Sequence, residues 1–401
     1  MAPLSFWTLR WIVVGLALAA QIYLFVRIWM AIRQRSGRWG LAALLACGGV
    51  IALLFAANWR IMSAPVPWVD PSPAAQAVLF YAPAVWSFGS ILSALLLLVA
   101  QAGGGLVRLG ARLLRAAGLR RERPLDPGRR RFLQAGVAGL AAGPFVMAGY
   151  GVAHASPARR VEVVALPFGC ELRAVQLTDI HAGVYMTPDM MRRYADQVIA
   201  LEPEILFLTG DYISNSTVFF PGVAAEMGRV RTRLGTFATL GNHENWYGGR
   251  EYYREELKRH GIELLQNESR LFRAGRERFA VAGIDDLRSG DPDLPAALAA
   301  VPPGIPTILL SHRPEIFPAA AARGVALTLS GHYHGGQVKI SLPGGDLSLA
   351  HLRTPYAEGL FRRGDSRLYV SRGIGTTFTP VRLNAPPEVT LLRLHRDPAA
   401  G

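Results

Sequence analysis

The stretch "ALTLSGHYHGG", residues 326–336, shows the pattern that decides the fold in the second half of this 401-residue chain. A short apolar run ends in a serine and a glycine, and two histidines, His332 and His334, follow one residue apart. In extended backbone, residues i and i+2 point to the same side, so both imidazoles would face one way. A polar loop and a metal-binding turn both fit this stretch alone, and the rest of the sequence has to discriminate between them.

Four other apolar runs end in the same manner, with polar side chains of the types that bind metals. These ends are "QLTDIHAG" with Asp179 and His181, "LTGDYIS" with Asp211, "LGNHEN" with Asn242, His243 and Glu244, and "LLSHRP" with His312. A single loop histidine is more often solvated than a ligand, but five of the nine histidines lie in these turns. The carboxyl ends of strands in open α/β sheets are where such folds place their sites, so a shared metal site is favoured.

The spacing of the strands predicts an α/β fold for residues 157–401. Near-continuous apolar runs alternate with amphipathic stretches such as "PDMMRRYADQVIAL" and "REYYREELKRHG", which is typical of sheets covered by helices. The last third contains strands and few helices, so we expect mixed sheets. The two cysteines, Cys47 and Cys170, exclude both a disulfide framework and a thiolate-based zinc site.

Three apolar runs in the first hundred residues predict transmembrane helices. They cover residues 11–32, 40–58 and 77–100, and each is near the ~20 residues that a helix needs to cross a bilayer. Buried helices of a soluble core normally carry a polar stripe, which these runs lack. We therefore predict 1–105 as three transmembrane helices and 106–131 as a basic cytoplasmic linker.

A fourth apolar segment, residues 132–156, has two interpretations. It follows "RRRFL" (129–133), which resembles a twin-arginine export signature, and "AHA" (153–155) resembles a signal-peptidase site. Since three spans precede it, an uncleaved fourth transmembrane helix is the favoured reading.

The distribution of charge predicts the orientation of the chain. Residues 1–150 carry 15 arginines against 3 acidic residues, whereas residues 151–401 carry 28 basic against 26 acidic residues. The nearly neutral second half gives no reason to expect nucleic-acid binding. Positive-inside bias places the arginine-rich first and third connections in the cytoplasm. Everything after about residue 156 would then lie on the periplasmic or extracellular side of a bacterial inner membrane.

The five blocks D-x-H, GD, GNH-E, H and G-H-x-H occur in the order typical of calcineurin-like metallophosphoesterases, and the chain resembles that family from about residue 171 to 340. The segment "RGIGTTFTPVRLNAPPEV" (372–389) resembles the tail of the membrane-anchored bacterial branch. The resemblance implies a four-layer α/β-β/α sandwich with mixed sheets. One position departs from the family pattern, because the second Asp of GDxxD is replaced by Ser214.

The resemblance also implies a dinuclear centre with two divalent metal ions, and a donor set of nitrogen and oxygen suits Mn, Fe, Zn or similar metals. Its implied ligands are Asp179, His181 and His334 for one ion, Asn242, His312 and His332 for the other, and Asp211 as the bridge. His243 would be the catalytic residue that protonates the leaving group or stabilises the transferring phosphoryl group. The implied reaction is hydrolysis of a phosphodiester or pyrophosphate by a metal-bridging hydroxide.

Several functional alternatives remain open at this stage. The expected partners are the lipid bilayer and a phosphoester substrate, such as a phospholipid or a nucleotide-linked glycolipid, with a water-soluble phosphodiester as the second choice. A catalytically silent membrane sensor or scaffold with the same metal-binding fold is the alternative function. Four aromatic residues near the motifs would either touch an acyl chain or pack beneath the loops; they are Phe219, Phe220, Trp246 and Tyr247.

Overall fold

The computed structural model describes residues 6–33, 40–63, 67, 69–117, 126–155, 160–343 and 345–396. The chain divides into two compact units. The first comprises residues 1–63 and 72–152, and the second comprises residues 64–71 and 153–401.

The first unit is helical. Its helices are α1 (Phe6–Arg33), α2 (Gly40–Ser63), α3 (Pro73–Gln76), a π-helical turn (Ala77–Tyr81), α4 (Ala82–Ala116) and α5 (Pro127–Ala155). Four helical segments are long and apolar enough to cross a membrane: Trp11–Arg33, Gly40–Ser63, Pro73–Ala116 and Pro127–Ala153. The third, at 44 residues, extends beyond the predicted span at both ends. Helix α4 continues to Ala116 because leucine, arginine and alanine, which favour helix, outnumber the glycines in its last turns and no proline interrupts them.

The second unit contains two sheets and six helices. Its strands are β1 (Arg160–Pro167), β2 (Leu172–Leu177), β3 (Ile205–Thr209), β4 (Thr236–Thr239), β5 (Ile262–Leu264), β6 (Glu268–Ala274), β7 (Glu277–Gly283), β8 (Thr307–Leu310), β9 (Leu327–Ser330), β10 (Ile340–Leu342), β11 (Gly345–Leu347), β12 (Gly359–Arg363), β13 (Ser366–Val370) and β14 (Glu388–His395). Its helices are α6 (Pro188–Ala200), α7 (Phe220–Gly228), α8 (Asn242–Tyr247), α9 (Arg250–Arg259), α10 (Leu294–Leu298) and α11 (Phe317–Ala322).

Both large sheets have six strands and mixed direction. The first has the order β1-β14-β2-β3-β4-β5, and the second has the order β12-β13-β9-β8-β7-β6. In the first sheet β2, β3, β4 and β5 are parallel, while β14 runs antiparallel to β2. In the second sheet β7, β8, β9 and β13 are parallel, and the two edge strands are antiparallel to their neighbours. Strands β10 and β11 form a separate two-stranded antiparallel sheet.

Three apolar layers hold the second unit together. The inner faces of the two sheets pack on each other through side chains such as Phe207, Phe279 and Leu329. The outer face of the first sheet is covered by α6, α7 and α9, with Tyr194 and Phe220 in the layer between them. Helices α10 and α11 cover the second sheet. This arrangement confirms the predicted four-layer sandwich with mixed sheets, because each sheet buries both faces.

The five apolar runs that end in polar residues are strands β2, β3, β4, β8 and β9. Strands β5, β6, β10, β11 and β12 were missed, since they are short or half-exposed and lack a continuous apolar run. Both cysteines are free thiols, in agreement with the exclusion of a disulfide.

Candidate metal centre

The loops at the carboxyl ends of six parallel strands meet in one place. Strands β2, β3 and β4 of the first sheet and β7, β8 and β9 of the second each lead into this region. Seven of the predicted site residues form three overlapping groups whose ligand atoms lie within 4.8 Å of one another: Asp179, His181 and His334; His181, Asp211 and His243; and Asp211, His312 and His332. The eighth, Asn242, lies beside them and is buried. Side chains separated by some 150 positions in sequence therefore converge.

Asp211 occupies the centre of the site. Its Oδ2 atom lies 3.2 Å from His312 Nε2, 3.6 Å from His181 Nε2 and 4.0 Å from His243 Nε2. Its Oδ1 atom accepts a hydrogen bond of 3.0 Å from the backbone N–H of His243. One carboxylate oxygen thus faces three imidazoles, which is the position that a bridging carboxylate would need.

The first of the flanking groups gathers around Asp179. The Oδ1 atom of Asp179 lies 3.3 Å from His334 Nε2 and 3.9 Å from His181 Nε2. The two Nε2 atoms themselves are 3.1 Å apart. The carboxylate is held in place by hydrogen bonds from Thr178 Oγ1 and from the backbone N–H of His332.

The second flanking group contains His312 and His332. The Nε2 atom of His312 lies 3.2 Å from Nδ1 of His332. The Nδ1 atom of His312 is 2.8 Å from the carbonyl oxygen of Thr209, which only accepts, so Nδ1 carries a proton and Nε2 is directed toward Asp211. A backbone carbonyl that fixes the tautomer in this way is the usual support for a metal-binding imidazole. Asn242 differs, because its Oδ1 accepts a 3.0 Å hydrogen bond from Arg313.

The backbone is strained at the same positions. Five of the non-glycine residues with positive φ are site residues: Asp179, His181, Asp211, His332 and His334, with φ between 48° and 75°. Such conformations cost of order 1–3 kcal/mol each and persist only where the surrounding structure imposes them. The strain turns these side chains inward from the ends of their strands, and it replaces the simple extended geometry expected for His332 and His334.

Burial controls the protonation of the metal-free site. Burial raises the pKa of Asp179 to about 6, with the charge of Asp211 adding to the shift. Burial lowers the pKa of His181 to about 3, and lowers those of His243, His332 and His334 below their ordinary value. Neutral imidazoles are the form that binds metal ions.

The pKa of His312 shifts in the opposite direction. Burial alone would lower it, but the carboxylates of Asp211 and Asp179 outweigh burial and raise it to about 10. Without a cation, the proton on His312 balances the negative charge of Asp211. A divalent cation between these two side chains would take the place of that proton.

Three buried residues support the ligands: Arg313 and Arg382, which the sequence pattern did not single out, and Glu244, to which it gave no role. Arg313 donates through Nε to Asp286 at 2.8 Å, through Nη2 to Asn242, and contacts His332 Nε2 through Nη1. Glu244 accepts hydrogen bonds from the loop that carries Asp211. Arg382 lies 3.2 Å from Nδ1 of His334. The available signals were the position of Arg313 directly after His312, the acidic pair at the end of β7, and the position of Glu244 in the GNH-E block.

The structure explains why Ser214 is compatible with the site. The carbonyl oxygen of Ser214 lies 2.6 Å from Nδ1 of His243, so this ring donates to the backbone and its Nε2 is directed toward Asp211. The hydroxyl of Ser214 donates to the carbonyl oxygen of His181 at 2.7 Å. Since the backbone rather than a side-chain carboxylate orients His243, replacement of the family's second Asp leaves this ring positioned.

The four aromatic residues near the motifs divide into two pairs. Phe219 and Phe220 are buried, and Phe220 packs edge-to-face on Tyr253 with ring centroids 4.7 Å apart. Trp246 and Tyr247 are half-buried beside His243, with centroid distances of 4.9 and 6.2 Å. The phenylalanines are core residues, whereas the second pair lies at the site.

The donor set fits divalent metal ions. Buried carboxylates and imidazoles face one another at distances of 3.1 to 4.0 Å, and the buried Nδ1 atom of His181 has no hydrogen-bond partner. Buried polar groups are normally paired with a hydrogen-bond partner. Carboxylate and imidazole atoms that face one another at these distances are suited to share cations. The chemistry of nitrogen and oxygen donors without thiolates agrees with the predicted metals.

Comparison with known proteins agrees with the site. A family model of the calcineurin-like phosphoesterases matches residues 172–336. The uncharacterized metallophosphoesterase YkuE of Bacillus subtilis is 28% identical over 278 residues, which are 66% of this chain and 97% of the relative. The phosphodiesterase YaeI of Escherichia coli is 28% identical over 279 residues, which are 66% of this chain and 98% of the relative.

A vertebrate relative is named as a transmembrane protein. The transmembrane protein with metallophosphoesterase domain of Danio rerio is 30% identical over 265 residues, which are 61% of this chain and 59% of the relative. The chain thus spans about six-tenths of the length of that relative. Together with the four apolar helices, this similarity indicates membrane localisation. The matched segment contains every strand end that forms the site, so residues 172–336 are a calcineurin-like phosphoesterase domain.

Proposed function

We propose that this protein is a membrane-anchored, two-metal phosphoesterase that hydrolyses phosphodiester or pyrophosphate bonds, including lipid-linked ones. The observation that carries the proposal is the position of Asp211, whose Oδ2 atom faces the Nε2 atoms of His312, His181 and His243 within 4.0 Å. A carboxylate between two sets of imidazoles is suited to hold two cations ~3.5–4 Å apart.

The ligand sets follow from the two flanking groups. One divalent ion would be held by Asp179, His181, His334 and Asp211, and the other by Asn242, His312, His332 and Asp211. When bound, such ions would lower the pKa of a water nucleophile toward neutral pH and offset the charge on the phosphoryl oxygens.

The chain's own residues would position the reaction. Asp211 and Asp179 set the charge of the site, and burial excludes bulk water from it. His243 is 8% exposed and fixed by its bond to the carbonyl oxygen of Ser214, so its Nε2 faces the site. As the imidazolium, with a second proton on Nε2, it would give that proton to the departing oxygen and return to the neutral form. General acid catalysis of this kind contributes about 10²–10⁴ in rate.

The substrate class rests on the anchor and on the relatives. The relative YaeI is named a phosphodiesterase, which supports a diester. Attachment to a bilayer raises the local concentration of lipid substrates, so a phospholipid or nucleotide-linked glycolipid is favoured over a water-soluble diester. We further propose that residues 157–401 form the catalytic domain on the periplasmic or extracellular face of a bacterial inner membrane, with 132–156 as a fourth span.

Two substitutions test the assigned roles. With added Mn²⁺ and bis(p-nitrophenyl) phosphate, we expect His243→Ala to keep its bound metal and to lose about 10²–10⁴ in kcat. Asp211→Ala should lose both metal and turnover, because one carboxylate serves both ions. Metal content is measured by mass spectrometry of the purified full chain, and turnover by release of nitrophenol.

His260→Ala is the matched control, since His260 lies at the end of α9 in contact with Glu256 and not with the site. If His243→Ala retained full activity, its role as proton donor would be wrong. If the unmodified, metal-loaded chain hydrolysed no phosphoester while binding metal, the silent sensor or scaffold would replace the enzyme.

A further inference from the structure

An exposed apolar surface lies immediately after the site histidines. We define the hairpin surface as Ile340, Leu342, Leu347, Leu349 and Leu352, which belong to β10, β11 and the 3₁₀ turn Leu349–Leu352. Leu349 and Leu352 are each 77% exposed, and the other three are between 47% and 62% exposed. Scattered exposed apolar residues are ordinary, but five within thirteen positions on one protruding element mark a contact surface.

The hairpin surface is rigidly attached to the site. Residues 335 and 336 follow His334, and a side chain at Gly336 would overlap Ser348, while one at Gly335 would meet Arg372 at 2.9 Å. Gln337 then bonds to the backbone of Thr377 and Thr379. The turn that carries the exposed leucines therefore packs directly on the loop that carries a proposed metal ligand.

Ion pairs connect the same element to the strand that follows the apolar helices. Lys339, at the start of the hairpin, pairs with Asp346 at 3.0 Å and contacts Glu358. Arg372 lies 3.6 Å from Glu358 and 3.1 Å from Glu162 of β1. The hairpin base is thus joined through a chain of ion pairs to the first strand of the second unit.

That strand begins close to the membrane anchor along the chain. Helix α5 ends at Ala155 and β1 begins at Arg160. The four intervening residues reach at most about 14 Å when fully extended. This short connection ties β1 to the helix that we propose as the fourth span.

The charges around the leucines favour an anionic lipid surface. His351 and Arg353 are exposed and flank Leu352, which is exposed as well. Leucines next to basic residues are the composition of elements that lie in the headgroup region of a membrane.

We propose that the hairpin surface inserts into the headgroup region of the bilayer that anchors the chain, and that it presents the headgroup of a lipid-linked phosphoester to the site. The membrane contact stands on the exposed leucines and their attachment to β1, while the delivery of substrate rests on the proposed function.

The depth of a fluorophore in the bilayer tests the membrane contact and does not depend on catalytic activity. In the full chain with Cys47→Ala, NBD is attached to Leu349→Cys and the protein is placed in nanodiscs of phosphatidylcholine and phosphatidylglycerol. Cys170 is buried and does not compete for the label. Doxyl-labelled lipids should quench NBD at position 349 and leave it bright at Leu271→Cys, the control on β6 at the opposite edge of the second sheet, where Leu271 is 50% exposed.

A label at position 349 that remains as water-exposed as the control would overturn the proposal. A label that is shielded from water but not quenched by doxyl lipid would also overturn it, because a second copy of the chain would then cover the surface.

Turnover tests the delivery of substrate. Leu349→Ser/Leu352→Ser should lower hydrolysis of a diacylglycerol p-nitrophenyl phosphodiester in the same nanodiscs by roughly tenfold, and leave bis(p-nitrophenyl) phosphate unchanged. Leu271→Ser should change neither rate. Equal rates on the lipid for the double variant and the unmodified chain would refute delivery. If the unmodified chain hydrolysed neither compound, the proposed function would fail, and the NBD measurement would still decide the membrane contact.

Discussion

At the scale of single residues, Glu244 shows how one buried carboxylate organises the site without facing the cations. Its Oε2 atom accepts hydrogen bonds of 2.9 Å from the backbone N–H groups of Asp211 and Gly241. Its Oε1 atom accepts from Tyr212 at 2.8 Å and Ile213 at 3.3 Å. One side chain therefore ties the loop after β3 to the loop after β4, and both loops carry proposed ligands.

Glu244→Gln should destabilise the fold and weaken metal binding. The amide oxygen keeps two of the four N–H donors, whereas the amide NH₂ faces the other two and leaves them unsatisfied. Each buried unsatisfied donor costs ~1–3 kcal/mol, so we expect a loss of about 3 kcal/mol in the free energy of unfolding. Urea denaturation of the full chain measures this loss. Glu251→Gln, on the exposed first turn of α9, is the control, and an unchanged denaturation midpoint for Glu244→Gln would refute the role.

At the scale of elements, strand ends could be predicted and the segments that brace them could not. Apolar runs that stop at Asp179, Asp211 or His312 report burial and a change of direction, and both are local properties of the sequence. The contacts of Arg313 with Asp286 and Asn242 join three strand ends, and no local pattern encodes such a network. The same holds for the loop 371–375, whose packing on Asp179 depends on the parallel pairing of β9 with β13.

The convergence itself follows from pairing order. Parallel neighbours deliver their carboxyl ends to one edge, so once β2, β3 and β4 are adjacent their polar ends must meet. The sequence pattern predicted the participants of the candidate site for this reason. It did not predict the positive φ values at His181 and His334, because these arise from tertiary contacts that only the folded chain provides.

Gly375→Ala should loosen the loop of Asp179 while most of the fold persists. The N–H of Gly375 donates to the carbonyl oxygen of Asp179 at 2.7 Å, and a β-carbon at position 375 would overlap the carbonyl oxygen of Ile180. The loop must shift, so we expect metal affinity to fall by roughly tenfold or more, as for other changes in residues that support a ligand. Isothermal titration calorimetry with Mn²⁺ measures this affinity.

Gly249→Ala provides the comparison for this prediction, since nothing lies within 4 Å of a β-carbon at position 249. Equal Mn²⁺ affinity in the two variants would show that the loop tolerates the displacement and that Gly375 is not required for the site.

At the scale of the whole molecule, the positive-inside rule predicts that the second unit lies outside the cytoplasm and that the end of α4 lies inside it. In the Cys47→Ala chain, an impermeant maleimide added to intact cells should label Asp365→Cys, in the exposed turn between β12 and β13. It should label Arg112→Cys, on the exposed surface of α4, only after permeabilisation. The reverse pattern would place the catalytic unit in the cytoplasm and would contradict the positive-inside assignment.

The order of the first sheet has a consequence for biogenesis. Strand β1 lies at the edge and pairs along eight residues with β14, which in turn pairs with β2. A nascent chain emerges at about 5–20 residues per second. Strand β14, which pairs with both β1 and β2, is therefore synthesised well after them. Strands β1 and β2 can be joined only after Glu388–His395 has been synthesised, so the first sheet is completed late in the synthesis of the chain.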